Sequence, residues 1–232
     1  IRLVKHEVNK GASATRNTGI SISKGEYILF LDSDDTLLPD AIKDMLEIII
    51  EDNSDAVYPE KYIRKYMNQD DSFEKRYFDK DCCISNPLKF ASDVIIEKST
   101  AWGTTAILYK RSIICNNSLE FTVGITAEDI LFNLEYLKCV EKISFYDKPA
   151  EAILKRENSV TNSYRINFEK NLIFIYEACV AFLLEIGKSE NDVIVKASSM
   201  LCRSVIVHIV DTMSAKNKSM RYSEKVQEVK KV

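Results

Sequence analysis

The chain has 232 residues, of which 46% are apolar and 29% are charged, as in an ordinary globular protein. Its 32 basic and 35 acidic residues give a net charge of −3, which excludes a broad basic surface for nucleic acid. Six cysteines show no C-x-x-C pair and no zinc-binding spacing, so we expect free thiols in a cytosolic protein. We expect neither a signal peptide nor a transmembrane segment.

Strand and helix patterns alternate through residue 155, which predicts an α/β fold with a mostly parallel sheet flanked by helices. Residues 60–86 are highly charged, and we expect them to be irregular. The predicted strands are 2–6, 26–31, 55–59, 105–110, 142–146 and 150–155. The predicted helices are 12–22, a segment opening at Pro39, 86–98 and 127–139.

From residue 165 onward the pattern is helical only, with predicted helices at 165–187, 192–215 and 223–231. We therefore divide the chain into an α/β domain, residues 1–160, and a C-terminal helical region, residues 161–232. The helix at 165–187 is apolar but interrupted by charges, so we expect it to pack on the α/β domain or on a second subunit. An amphipathic helix at a membrane surface is the alternative.

Three carboxylates directly follow the apolar strand at 26–31. They are Asp32, Asp34 and Asp35, and in open α/β sheets ligands bind at this end of a strand. Like charges this close repel unless a cation or donor lies among them, and oxygen ligands suit Mg²⁺ or Mn²⁺. A solvated acidic turn is the alternative interpretation.

Two long segments include this strand and the helix before it. Residues 9–20 read N-K-G-A-S-A-T-R-N-T-G-I, and residues 24–35 read K-G-E-Y-I-L-F-L-D-S-D-D. Together they resemble family 2 glycosyltransferases of the GT-A fold. Thr15 occupies a position where alanine is usual in the family. The resemblance covers residues 1–160 and implies a Rossmann-like GT-A domain. It also implies a first hydrophobic strand, which binds the nucleotide in relatives and has no counterpart in this chain.

Two further motifs follow in the order expected of this family. The segment A-W-G at 101–103, with I-L-Y-K-R-S at 107–112, is similar to the element beside the acceptor groove and assigns Trp102 to the acceptor side. The segment A-E-D-I-L-F at 127–132 is similar to the E-D-x-x-F motif, which assigns Asp129 as the general base and Glu128 to the acceptor side. An acidic pair that only balances a helix dipole is the alternative.

The resemblance also implies a set of donor-binding residues. The segment L-K-R-E-N-S-V at 154–160 is similar to a closing segment that can fold over the donor diphosphate, with Arg156 and Ser159 as phosphate contacts. Lys10 and Arg16 would add positive charge near the donor. Asp34, assisted by Asp32, would hold a divalent cation, Mn²⁺ or Mg²⁺.

The implied reaction is inverting transfer of a sugar from a nucleoside-diphosphate sugar to a hydroxyl of a glycan or glycolipid. The resemblance favours bacterial surface polysaccharide assembly in the cytoplasm. We expect a peripheral position at the inner face of the membrane, or a homo-oligomer formed through the C-terminal helices, as further possibilities.

Two other functions fit parts of the sequence. The segment D-S-D-D-T at 32–36 matches the signature of haloacid-dehalogenase-type phosphatases, with Asp32 as nucleophile, Asp34 as acid/base and Glu128 with Asp129 as Mg²⁺ ligands. That family has no use for the preceding N-x-G…R-N-x-G element. A catalytically incomplete module that binds a nucleotide or glycan is the other alternative, because the first strand is missing.

Overall fold

The computed structural model describes residues 2–66, 69–101, 103–155, 168–213 and 226–227. The strands are β1 Tyr27–Leu29, β2 Thr36–Leu37, β3 Ala56–Tyr66, β4 Gln69–Arg76, β5 Leu108–Lys110 and β6 Ile143–Lys155. The α-helices are α1 Gly11–Ile22, α2 Ala41–Glu51, α3 Pro87–Phe90, α4 Arg111–Asn116, α5 Glu128–Lys138, α6 Phe168–Glu185 and α7 Glu190–Met213. A π-helix, Ala91–Glu97, directly continues α3.

The strands form one mixed sheet in the order β1-β5-β3-β6-β2, with β4 paired to β3. The α/β class is confirmed, but the expectation of a mostly parallel sheet is wrong. Of the five strand pairings in the described residues, only β3 with β6 is parallel. Two residues separate β3 from β4, far fewer than the crossover between parallel strands needs, so these two strands pair antiparallel.

Three stretches differ from the sequence-based expectations. Residues 60–66 continue β3 and pair with β4, so most of the predicted irregular segment is a hairpin. The two strands predicted at 142–146 and 150–155 are one strand, β6, which pairs with β3 with shifts in register. Residues 2–6 form no strand, because none of the described strands pairs with this segment. Leu3 is accordingly 90% exposed.

The helices follow the predicted positions more closely. Helix α2 begins at Ala41, two residues after Pro39, because Asp40 takes a left-handed φ of 61° and does not continue the helix backward. Its buried face consists of Ala41, Met45 and Ile49. These residues pack beneath one side of the sheet, against Val57 and Leu108.

The C-terminal helices share the main hydrophobic core with the α/β part. The core residues of α6 and α7 are Leu172, Ile175, Cys179, Phe182, Leu183, Val193, Ala197 and Met200. They lie in one cluster with Ile130 and Phe132 of α5 and with the π-helix. This packing places α6 and α7 beside the start of α5. The helix predicted at 223–231 lies outside the described residues except at 226–227.

Helix α7 also has an exposed apolar side. The segment Glu190–Val210 is long and apolar enough to cross a membrane by length and composition, and 22% of its most apolar window is buried. Lys196 and Arg203 interrupt its apolar residues, so the sequence shows no unbroken apolar run here. The buried residues of α7 hold one face of the helix against the core.

Candidate active site

One arginine connects the three motifs that the sequence singles out. Arg16 lies on α1 and is largely buried, with 12% of its side chain exposed. Its Nη1 donates to Oε1 of Glu128 at 2.9 Å and to Oδ1 of Asp129 at 2.8 Å, and its Nη2 donates to Oδ1 of Asp32 at 3.1 Å. Burial opposes the positive charge of Arg16, but the three carboxylates outweigh it and raise the pKa of Arg16.

Aromatic packing and a paired hydrogen bond hold Arg16 in place. The side chain of the next residue, Asn17, donates to the backbone carbonyl of Phe121 at 2.9 Å and accepts from its N–H at 2.8 Å. The guanidinium of Arg16 lies over the Phe121 ring, 5.2 Å from its centroid. Phe121 in turn stacks on Phe132 of α5 and contacts Phe30 of the acidic strand edge to face. The position of α1 is thereby fixed against both acidic segments.

Asp129 occupies the first turn of α5, where a helix dipole favours negative charge. Ala127, the residue just before the helix, has a left-handed φ of 65°. This conformation favours glycine and turns the chain sharply into the helix. Oδ1 of Asp129 accepts from Arg16 and also from Oγ1 of Thr104 at 2.9 Å. Burial raises the pKa of Asp129 to about 6, against the opposing effects of Arg16 and Thr104 and with a further rise from Glu128.

The acidic strand end is more open. Asp32 has half of its side chain exposed, and Asp34 is exposed. The backbone turns tightly here, because the N–H of Asp35 donates to the carbonyl of Asp32 at 3.0 Å. The side chain of Asp35 faces β6, where its Oδ1 accepts a hydrogen bond from the N–H of Leu154 at 3.0 Å. Burial raises the pKa of Asp35, and the Leu154 N–H opposes that rise.

The donor set at this end suits a hard divalent cation in part. Asp32 and Asp34 offer carboxylate oxygens, the ligand type that Mg²⁺ and Mn²⁺ prefer, and both are reachable from solvent. Across the part of the chain that the structure describes, no three His, Cys, Asp or Glu side chains converge as a metal site. Two carboxylates therefore fit a cation whose other ligands come from water or a phosphate.

Comparison with known proteins identifies the family. The model of glycosyl transferase family 2 matches residues 1–114, the part that contains Arg16, Asp32 and Asp34. Poly(ribitol-phosphate) β-N-acetylglucosaminyltransferase TarP of Staphylococcus aureus is 36% identical over 142 residues, which cover 59% of this chain and 40% of TarP. Residues 1–114 of the chain thus match glycosyl transferase family 2. This assignment replaces the phosphatase alternative.

Two further proteins are similar to this chain over a longer stretch. Putative glycosyltransferase EpsH of Bacillus subtilis is 27% identical over 194 residues, covering 81% of this chain and 54% of EpsH. The crystal structure of S. aureus TarS residues 1–349 with UDP-GlcNAc has a TM-score of 0.60 at 20% identity, covering 97% of this chain and 61% of that chain. The fold is therefore GT-A. The chain spans about half the length of the curated relatives it matches.

Of the remaining predicted site residues, the structure describes two, Glu128 and Lys10. Glu128 lies within the centre, where it is bound to Arg16. Lys10 immediately precedes α1 and is exposed. Trp102, Arg156 and Ser159 lie outside the described residues.

Several contacts around the predicted site residues have no signal in the family motifs. Thr104 binds Asp129 although it is an unremarkable residue in a loop. Asn17 belongs to the R-N-x-G element, but the sequence did not indicate its partner, Phe121. Asp35 was grouped with the metal-site carboxylates, whereas its hydrogen bond ties the strand end to β6. An alignment of relatives could single out Thr104; a lone sequence cannot.

A cavity of about 440 Å³ opens beside the start of α5, a volume typical of ligand pockets. Its walls come from the loop after the π-helix, from Thr126 and Ala127, and from α6 and α7. Two basic residues, Lys98 and Arg203, line it, and none of the described lining residues is acidic. The rest of the wall combines apolar side chains with hydroxyl and amide groups. The cavity thus ends two residues before Asp129 and has a positive charge balance.

Proposed function

We propose that this protein transfers a sugar from a nucleoside-diphosphate sugar to a hydroxyl group of an acceptor, with inversion at the anomeric carbon. The observation that carries the proposal is the Arg16 centre, which joins Asp129, Glu128 and Asp32 in one network. Family membership and the UDP-GlcNAc complex of TarS support a nucleotide-sugar donor.

Asp129 serves as the general base in this proposal. The acceptor oxygen forms a bond to the anomeric carbon while the bond from that carbon to the diphosphate breaks, and the diphosphate leaves with the electron pair. The acceptor proton passes to Asp129. Because both hydrogen bonds to its carboxylate end on Oδ1, Oδ2 accepts no hydrogen bond from the described residues and can take the proton. A pKa of about 6 keeps Asp129 ionised at neutral pH yet basic enough to act.

The open strand end serves the donor. Asp34 and Asp32 would hold Mn²⁺ or Mg²⁺, which supplies positive charge to a departing diphosphate. Arg16 orients Asp32 and adds a fixed positive charge between the two halves of the site. We propose the exposed Lys10, with Arg156 and Ser159, as further contacts to the donor phosphates.

The cavity beside α5 suits the acceptor. Its two basic residues favour an anionic group, and its position next to Glu128 and Asp129 brings an acceptor hydroxyl toward the base. The name of TarP describes a poly(ribitol-phosphate) acceptor, which is a phosphate-bearing polyol. We therefore propose a phosphate-bearing polyol or glycan acceptor of bacterial surface polysaccharide assembly, with Trp102 on the acceptor side.

The substitution Asp129→Asn tests the base. In the full-length protein with Mn²⁺ and a panel of UDP- and GDP-sugars, we expect Asp129→Asn to lower kcat about 100- to 10,000-fold, because removal of a general base costs that much. Nucleotide binding, measured by calorimetry, should change little, since Asp129 does not bind the donor phosphates in this proposal.

The matched control is Glu135→Gln, which removes an exposed carboxylate from the same helix. It should leave kcat unchanged. Wild-type protein that binds none of the nucleotides would contradict the transferase proposal. Binding without transfer to any polyol-phosphate or glycan acceptor would favour the binding module. Full activity of Asp129→Asn would exclude this residue as the base.

The cellular location and assembly follow from the same proposal. A nucleotide-sugar donor places the active domain in the cytoplasm. We propose that residues 161–232 form a helical unit attached to a catalytic domain of residues 1–160, and that the exposed apolar side chains of α7 contact a membrane surface or a second copy. Ile194, Val195, Ile206 and Val210 are the main ones. Sedimentation with and without vesicles separates these two arrangements.

A further inference from the structure

A second buried carboxyl lies close to the centre but outside the proposed mechanism. Glu151 on β6 is fully buried. Its Oε1 accepts hydrogen bonds from the hydroxyl of Tyr77 and from Oγ1 of Thr105, the latter at 2.8 Å. Its Oε2 has no hydrogen-bond partner within the part of the chain that is described. Such a group is costly to bury, so its position requires an explanation.

The partner of Glu151 is the neighbour of a residue that binds the base. Thr105 binds Glu151, while the adjacent Thr104 binds Asp129 at 2.9 Å. One dipeptide therefore lies between two carboxyl groups. It is also attached to the acidic strand, because Thr105 forms a parallel bridge with Phe30.

The loop that contains this dipeptide has an unfavourable backbone. Ser99, Ala101 and Ala106 have left-handed φ angles of 51°, 55° and 55°, although none of them is glycine. Residues in such conformations persist only where surrounding contacts hold them. Asn133 binds the carbonyl of Gly103 at 3.0 Å, and the N–H of Ala106 donates to the carbonyl of Phe30 at 2.9 Å. Between these two backbone contacts, the carboxyl of Glu151 holds the side chain of Thr105.

We propose that Glu151 is a positioning residue, which fixes Thr105 and thereby keeps the Thr104 hydroxyl on Oδ1 of Asp129. This inference rests on the proposed role of Asp129 as the base. Glu151 acts as a hydrogen-bond acceptor and not through its charge. Burial raises the pKa of Glu151, and the hydrogen bonds from Tyr77 and Thr105 oppose that rise. Glutamine keeps the carbonyl oxygen that Thr105 needs.

Three variants test the inference in the full-length protein. Glu151→Gln keeps the acceptor, Glu151→Leu removes it, and Thr105→Val removes the donor and carries the test if Glu151→Leu does not fold. The matched control is Glu60→Leu, which removes another buried carboxyl that binds Arg76 and Cys83. Two readouts are measured for each: kcat and KM for the donor, and the pKa of Asp129 from its carboxyl carbon signal in NMR.

We expect Glu151→Gln to stay within about twofold of wild-type kcat. Glu151→Leu and Thr105→Val should lower kcat about 3- to 10-fold with little change in donor KM, no more than the loss of the Thr104 hydrogen bond itself costs. Both should also raise the pKa of Asp129, because loss of the Thr104 hydrogen bond disfavours the carboxylate.

Three results would overturn the inference. Equal losses of kcat in Glu151→Gln and Glu151→Leu would show that the charge or a proton of Glu151 matters. An Asp129 pKa that is unchanged in Glu151→Leu and Thr105→Val, or that Glu60→Leu raises equally, would show a general structural role. The NMR titration needs no transfer reaction. It therefore reports on Glu151 even if no donor is accepted, which separates failure of this inference from failure of the proposed function.

Discussion

The two halves of the centre differ in how much of their geometry the protein itself supplies. On the side of the proposed base, the base side, Asp129 has 26% of its side chain exposed and is held by a buried arginine and a hydroxyl. On the side of the proposed donor site, the donor side, Asp32 is half-exposed and Asp34 is exposed just beyond the end of a strand. The base side is preorganised, whereas the donor side offers oxygen ligands that a cation and a phosphate would complete.

The cause of this difference lies in the packing. Asp129 lies in the first turn of α5, and the following residues Ile130 and Phe132 are in the main core, so its backbone cannot shift without loss of buried surface. Asp32 and Asp34 follow the last core residue of their strand, Phe30, and project into solvent. Arg16 links the two halves through its hydrogen bonds to Asp129 and Asp32. Substitutions on each side should therefore affect different properties.

Among substitutions that leave Asp129 in place, removal of the link should have the largest effect. We expect Arg16→Gln to lower kcat/KM about 100-fold at pH 7, because both carboxylates lose their orienting contact. Wild-type activity should fall as the pH drops through about 6, where Asp129 becomes protonated. Arg16 favours the ionised carboxylate, so its removal raises the pKa of Asp129. The acid limb of the pH–rate profile should then move to higher pH.

The control for this variant is Arg111→Gln, which removes an arginine that binds Ser23 away from the centre. Its pH–rate profile should match that of the wild type. An acid limb that stays in place in Arg16→Gln would show that the two halves are not electrostatically linked through Arg16.

A change confined to the donor side should act on binding. We expect Asp34→Ala to weaken Mn²⁺-dependent nucleotide binding roughly 10- to 100-fold, since changes even beyond the ligands of a metal site cost that much. The pKa of Asp129 should not change, because Asp34 lies on the open side. Calorimetric titration with UDP and GDP, with and without Mn²⁺, measures the first effect. The control, Asp147→Ala, removes an exposed carboxylate of β6. Unchanged binding in Asp34→Ala would remove this residue from the metal site.

The motifs and the apolar periodicity carry different information. Arg16, Asp32, Glu128 and Asp129 are separated by up to 113 residues, and the structure brings them together, while their roles stay predictions. Short motifs retain the residue types that chemistry requires. The direction of a strand has no such local signature, so the reversed β5 and the β3–β4 hairpin were not predictable from apolar patterns.

The contacts that orient the site also have weak sequence signals. Thr104 is a common loop residue, and Glu151 interrupts a predicted strand without a motif around it. Their roles depend on tertiary contacts, namely the loop position set by Phe30 and the burial of β6. A single sequence gives the residues that perform chemistry more readily than those that hold them.

The smallest expected effect tests how finely the base side is tuned. Thr104→Val keeps the shape of the side chain but removes the hydrogen bond to Oδ1 of Asp129. That bond lowers the pKa of Asp129, so its loss should raise the pKa and move the acid limb of the pH–rate profile slightly upward. We expect kcat at pH 7 to fall about 3- to 10-fold, less than in Arg16→Gln because one neutral donor is lost instead of a charge. Thr100→Val, which removes a hydroxyl bonded to a backbone carbonyl in the same loop, is the control and should leave the profile in place. If the acid limb shifts more in Thr104→Val than in Arg16→Gln, the Thr104 hydroxyl, and not the arginine, mainly determines the pKa of Asp129.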